Sequence, residues 1–230
     1  MTKEELFTQL EKLNVSASVD MLEDLMIDTL ETNKSFNLTA IKDEDKFREL
    51  MILDSLLPRH LIHFTGKKVI DVGTGAGFPG LPLAMCSDAE FTLLDSTSKK
   101  VDRINEYAKR SGLFNVLGVN ARAEEYAKEH RNEYDIAIAR AVASLNVLVE
   151  IILPLVKVDG YFIAMKGAKG MEEIEESKNA LKELGAEVVE IQEIILPESK
   201  EKRINILIQK KKDTKTKYPR QYKDILAKPL

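Results

Sequence analysis

The residues with the clearest chemical purpose lie in Val69-Ile-Asp-Val-Gly-Thr-Gly-Ala-Gly-Phe-Pro-Gly80. Gly73, Gly75 and Gly77 follow a β-branched run directly, and glycine both tolerates positive φ and lets a ligand approach the backbone. Pro79 or Gly80 then opens a helix, since proline suits the first helical turn. The segment reads as strand, loop and helix, with the loop at the carboxyl end of a sheet, where ligands of open α/β sheets bind. Asp71, two residues before the first glycine, suits a cofactor with a positive amino group rather than a pyrophosphate. Asp95 ends the next apolar run, 18 residues after Gly77, where an acid accepts hydrogen bonds from ribose hydroxyls.

Read literally, Gly75-x-Gly77-x-x-Gly80 matches the dinucleotide fingerprint. That fingerprint sets its first glycine at the strand end, and here that glycine is Gly73. The resulting x-Asp-x-Gly-x-Gly-x-Gly arrangement is the pattern of the S-adenosylmethionine (SAM) site in class I methyltransferases. A nicotinamide or flavin cofactor and a purely structural turn remain alternatives on the loop alone.

These residues need a scaffold, and the chain supplies one. Leu6, Leu10 and Leu13, then Met21, Leu22, Leu25, Met26 and Leu30, recur at helical spacing. Phe47, Leu50, Met51, Asp54 and Leu57 predict a third helix, ended by Pro58. From Lys67 onward strands alternate with helices. Strands are expected at Lys68–Val72, Phe91–Leu94, Val116–Val119, Asp135–Ala139, Tyr161–Met165, Val188–Ile194 and Ile204–Ile208. Helices are expected at Leu81–Cys86, Lys99–Ser111, Ala123–His130, Leu145–Val156 and Met171–Leu184. This is an α/β fold: a Rossmann-like, mostly parallel seven-stranded sheet with helices on both faces. The last two strands are too close for a helix between them and should form an antiparallel hairpin at one edge. We divide the chain into an N-terminal helical segment, residues 1–66, a SAM-binding core, 67–210, and a basic tail, 211–230.

Composition bounds the function. The chain has 230 residues, 44% hydrophobic and 31% charged, as a soluble globular protein does. One cysteine, Cys86, excludes a disulfide framework, and three histidines (His60, His63, His130) argue against a catalytic zinc; no metal site is expected. The longest uncharged run, Val72–Ser87, has 16 residues and is broken by glycine and proline, short of the ~18 that span a bilayer. A cytoplasmic monomer without a membrane segment is expected. Net charge is −4 but uneven, with residues 1–66 at −6 and residues 198–230 at +7. A basic end on an acidic protein suits a polyanion partner, or simply a solvated terminus.

Outside the loop, Glu124 follows the third strand and reads either as a cofactor-pocket residue or as a first-turn acid favoured by the helix dipole. Arg140, at the end of the fourth strand, can hold a cofactor or a phosphate, or pair with an acid such as Glu124. Phe78 can pack beside a cofactor or staple the helix start, and Asn37 can cap a turn or line the substrate cleft.

Taken together, Asp71-Val-Gly-Thr-Gly-Ala-Gly-Phe-Pro-Gly-Leu-Pro-Leu83 closely resembles the loop of the bacterial RsmG (GidB) family. Matching segments follow in order: Asn37-Leu-Thr-Ala-Ile41, Leu53-Asp-Ser-Leu56, Leu94-Asp-Ser96, Arg122-Ala-Glu124, Ala139-Arg-Ala141 with Ser144-Leu145, Lys166-Gly167 and Lys217-Tyr-Pro-Arg220. The resemblance implies SAM-dependent methylation of N7 of a guanine in 16S ribosomal RNA, with the rRNA, the small subunit or its precursor as partner. It implies cofactor contacts from Gly73, Phe78, Ala123, Glu124 and Arg140, beside Asp71, Gly75, Gly77 and Asp95. RNA contacts are expected from Arg122, Lys166, Lys210, Lys211, Lys212, Lys217 and Arg220, with Lys99, Lys100 and Arg103 as further cations. Met51 stands where the family usually has a histidine, and Lys223 and Ile225 replace its Gly-x-Pro turn. A guanine N7 is nucleophilic as the neutral base, so no general base is expected and positioning carries the reaction, Arg140 being the one candidate for a direct part. The alternatives are a methyltransferase for a small molecule or protein, and a non-enzymatic SAM-fold protein in ribosome assembly.

Overall fold

Capping chemistry starts the chain. Thr2 Oγ1 accepts from the Glu5 amide while Glu5 accepts from the Thr2 amide, a capping box that opens α1 (Lys3–Lys12). α2 (Val19–Asn33) buries Leu22, Leu25, Met26 and Thr29. The third helical stretch is composite. α3 (Glu44–Phe47), capped by Asp43, runs through a π-helical turn at Arg48–Leu53 into α4 (Asp54–Leu56) and a 3-10 turn at Leu57–His60. The α-helix thus stops at Leu56, just ahead of Pro58, as expected, and the chain goes on as a 3-10 turn. Pro58 sits in the first turn of the 3-10 segment, where a missing N–H costs nothing. This computed structural model describes residues 1–15 and 19–230.

Strands and helices then alternate: β1 (Lys68–Val72), α5 (Gly80–Met85), β2 (Glu90–Asp95), α6 (Ser98–Arg110), β3 (Val116–Asn120), α7 (Ala123–Glu129), β4 (Tyr134–Arg140), α8 (Leu145–Ile152) and β5 (Val156–Lys166). α9 (Gly170–Glu176) and α10 (Lys178–Leu184) divide one expected helix at Ser177, whose hydroxyl donates to the Glu173 carbonyl at 2.6 Å. β6 (Ala186–Ile195), β7 (Lys202–Lys210) and α11 (Tyr222–Ala227) complete the chain.

The sheet order is β3-β2-β1-β4-β5-β7-β6. Five strands are parallel; β7 runs antiparallel to both β5 and β6, so the expected hairpin forms the sheet edge. Alternate residues of each strand enter two cores. Val69, Phe91, Leu93, Ile136 and Ile138 pack with α1, α2, the composite helix, α5 and α6. Ile70, Val72, Ala137, Phe162 and Ile206 pack with α7, α8, α10 and α11. The N-terminal helices are thus one cover of the sheet.

The last residues do not trail into solvent. Thr214, Tyr218 and Ile225 are buried, and Arg131 donates to the Tyr218 carbonyl at 2.7 Å. Fully buried Glu150 on α8 accepts from Arg220 at 2.5 and 2.8 Å and from its backbone amide at 3.0 Å. Residues 211–230 form a strap over the second core. Among the described residues, no helix is long and apolar enough to cross a membrane.

Candidate cofactor and substrate cleft

Parallel strands β1, β2 and β4 end side by side, and the loops leaving them build the cleft. The glycine loop leaves β1 with Gly73 at φ +74°, Gly75 at +60° and Gly77 at +96°, all in the left-handed region. Asp71 shapes it from beneath. Its Oδ2 accepts from the Thr74 hydroxyl at 2.7 Å and from the Gly80 amide at 2.9 Å. Burial pushes its pKa up to about 6, and Oδ1 has no partner among the described residues. The sequence suggested that Asp71 faces the cofactor's amino group. In the structure it is fully buried and clamps the loop, because the tight turn into α5 wraps Gly80 over it.

Asp95 closes the next strand. Its Oδ2 accepts from the Gly75 amide at 3.0 Å and Oδ1 from the Thr97 amide at 2.9 Å. A carboxylate has about four acceptor positions, so capacity for hydroxyls remains. Asp95 lines a cavity of about 280 Å³ with Thr97, Arg122, Ala123, Glu124, Leu148 and Tyr222. Glu124 accepts from Arg122 Nε at 3.2 Å, and the Arg122 guanidinium lies over the Tyr222 ring at 5.0 Å.

A larger cleft of about 840 Å³ adjoins this cavity, the two sharing Gly73, Ala141 and Val142. Its walls include Leu38, Thr39, Met51, Phe78, Arg140 and Met165. Phe78 lines the cleft and meets Phe47 edge-on at 5.5 Å. Asn37 is not the turn-former; Asn33 bonds the Leu38 and Thr39 amides and the Thr39 carbonyl. Arg140 pairs not with Glu124 but with buried Asp54 at 3.1 Å, and also donates to the Leu50 carbonyl at 3.2 Å. Asp54 is shared with Arg203 at 3.2 Å, and Met51 Sδ lies 3.5 Å from Arg140.

The residues present fit a cofactor of SAM's chemistry. A Cβ on Gly73 would lie 2.6 Å from Val142 Cγ2, so bare backbone is needed where the two cavities meet. Beyond it the smaller cavity combines an acid at the end of β2 with apolar walls and an aromatic ring, as an adenosine requires.

Several expected RNA contacts are placed elsewhere. Lys210 is fully buried, donating to Asn132 Oδ1, Leu153 O and Val156 O at 2.6–3.0 Å. Lys166 is buried between the Ala143 carbonyl at 2.5 Å and Glu173 at 2.8 Å. Arg103 is also buried, and Arg220 is held by Glu150. Lys211 pairs with Glu187 and Lys217 with Glu183, both at exposed ends. Lys212, Lys99 and Arg122 remain accessible. The core captures Lys210 and Glu150 holds Arg220, although the sequence shows both only as part of a basic end. Tyr222, Val142 and Arg203 were not anticipated in the site. Tyr218, Tyr222 and Ile225 do have helical spacing, the one signal that the basic end packs down.

Comparison with known proteins agrees with this layout. A family model described as rRNA small subunit methyltransferase G, GidB, matches residues 19–207. The chain is 48% identical over 206 residues to the ribosomal RNA small subunit methyltransferase G of Alkaliphilus metalliredigens, covering 87% of this chain and 86% of that one. It is 42% identical to the protein of the same name from Fusobacterium nucleatum, covering 96% and 97%. In fold it is similar to a SAM-dependent methyltransferase from Aquifex aeolicus, with a TM-score of 0.55, 18% identity and coverage of 77% and 97%. The match over most of the chain, together with the glycine loop at the carboxyl end of a class I methyltransferase sheet, places this SAM-dependent enzyme in the rRNA small subunit methyltransferase G family.

Proposed function

We propose that the protein methylates N7 of a guanine in 16S rRNA, acting on the small ribosomal subunit or its precursor. One observation supports this most: the larger cleft beside the glycine loop offers no free general base. Among the described residues no histidine or cysteine lines it, and its three carboxylates are all paired, Asp54 with Arg140 and Arg203, Glu173 with Lys166, and Glu201 with Arg203. Bound SAM supplies an activated methyl group. A guanine N7 has a free lone pair in the neutral base, so the chain's task is alignment and exclusion of water. In this reading Gly73, Asp95, Ala123 and Glu124 hold the cofactor. Leu38, Thr39, Met51, Phe78 and Met165 form an apolar slot for a base extruded from its stack. Arg140, fixed by Asp54, stands where the two meet.

RNA phosphates are held by the cleft rim rather than by a tail. Lys42, Lys169 and Lys200 are exposed, have no ion pair among the described residues, and lie within two residues of the cleft-lining Ile41, Gly167 and Glu201. With Arg122 they give a few phosphate contacts on an acidic protein, so a prefolded particle should bind better than free RNA. The test is transfer of label from methyl-labelled SAM to small subunits lacking the modification. Label in 16S rRNA is expected; label only in protein or small-molecule fractions would overturn the assignment.

A further inference from the structure

Arg103 was expected on the surface and lies inside, with its side chain only 9% exposed. It leaves α6 and spans two parts of the molecule. Nη1 donates to the carbonyl of Ala76 at 2.8 Å. Nη2 donates to Asp28 at 2.5 Å and to the Thr29 hydroxyl at 2.7 Å, both on α2. Thr29 in turn donates to the Leu25 carbonyl at 2.7 Å. Ala76 stands between Gly75 and Gly77, both at positive φ, and lines the larger cleft. The Arg103 Nε is buried without a partner among the described residues. Burying a guanidinium incompletely satisfied is costly, and what it gains is a fork that grips loop and helix together.

We propose that Arg103 is a positioning residue of the cofactor loop, tying Ala76 to the N-terminal segment so that cofactor affinity depends on α2. The proposal rests on the reading that this loop holds SAM. Its chemistry requires arginine: a lysine ammonium is a single point charge and lacks the planar fork that serves both sides at once. Arg110 is the contrasting neighbour. It also pairs with Asp28 but makes no hydrogen bond to the glycine loop among the described residues.

The experiment compares Arg103→Met, Arg103→Lys and Asp28→Asn with two controls, Arg110→Met and Arg48→Met. Arg48 forms a buried ion pair with Glu23 at 2.7 Å in the same segment, and its guanidinium bonds only to Glu23, Asp45 and Glu44 among the described residues, not to the glycine loop. SAM affinity is measured by calorimetry, stability by thermal melting, and kcat and KM for small subunits at saturating SAM. Loss of one charge-assisted hydrogen bond predicts a Kd for SAM raised about tenfold in Arg103→Met. Arg103→Lys and Asp28→Asn should fall between it and the wild type, with KM for the subunit unchanged. Both controls should lower the melting temperature or leave it alone without moving the Kd for SAM. If Arg103→Met and Arg103→Lys melt earlier but bind SAM as the wild type does, the tie is purely structural and the proposal falls. If Arg48→Met raises the Kd as much as Arg103→Met, general softening explains the effect and the proposal falls too. A wild-type protein whose glycine loop does not bind SAM would instead overturn the reading beneath it.

Discussion

Gly73→Ala tests the junction of the two cavities. At φ +74° an alanine is left-handed, which costs about 1 kcal/mol. Its Cβ would also lie 2.6 Å from Val142 Cγ2 and 3.3 Å from Cγ1. Overpacking of that kind costs about 1–3 kcal/mol, and Val142, being 41% exposed, has room to swing, which sets the low end. Gly73→Ala should therefore destabilise by about 2 kcal/mol in urea denaturation. Val142→Ala added to it removes both crowding methyls and should restore about 1 kcal/mol, a coupling visible in a double-mutant cycle. Cofactor affinity should respond differently. The alanine methyl stays on the backbone that the cofactor must approach, so SAM binding remains weak in the double variant even as stability returns. A double variant that binds SAM as tightly as the wild type would show that the cofactor does not pass over Gly73.

Asp71→Asn probes the buried clamp. With its folded pKa raised to about 6 from an ordinary 3.8, Asp71 binds its proton more tightly folded than unfolded, so its contribution to stability falls as pH rises from about 4 to 6. The asparagine variant should lose that slope in pH-dependent denaturation. Glu150→Ala should cost about 3 kcal/mol, the low end for breaking a buried ion pair, since Arg220 keeps partial access to water. Limited proteolysis should then cut within 211–230, and SAM should bind more weakly as Tyr222 loses its support. Lys42→Glu and Lys169→Glu should each reduce the salt dependence of subunit binding, by about one unit of log–log slope per lost phosphate contact. Lys210→Met should leave that slope unchanged.

The cofactor half of the site was legible because it is local. Strand, glycines and helix follow one another in twelve residues, and the period of the apolar runs gave the sheet and its edge hairpin. Helix boundaries inside the composite stretch were not legible: the π turn at Arg48–Leu53 moves the buried apolar positions after Phe47 to Ile52 and Leu53, where α-helical spacing selects Leu50 and Met51. Charge was the least readable property. Lys210, Arg103 and Arg220 look like surface cations in the sequence, yet their partners lie 70 or more residues away, Lys210 meeting Asn132, Arg220 meeting Glu150 and Arg103 meeting Asp28. Long-range pairing of this kind leaves no periodic trace. Asp54, the acid that fixes Arg140, was visible only as a charge inside the apolar stretch Met51–Leu57.

The most direct measurement identifies the methylated atom. Small subunits from cells lacking this modification are treated with the enzyme and labelled SAM, and the 16S rRNA is digested to nucleosides for mass spectrometry. A cleft without a free base predicts labelled 7-methylguanosine from a single site, at a rate that stays flat across neutral pH. Label on an exocyclic amine, on a pyrimidine carbon or on a ribose hydroxyl would require a base or nucleophile that the cleft does not provide, and would contradict the account.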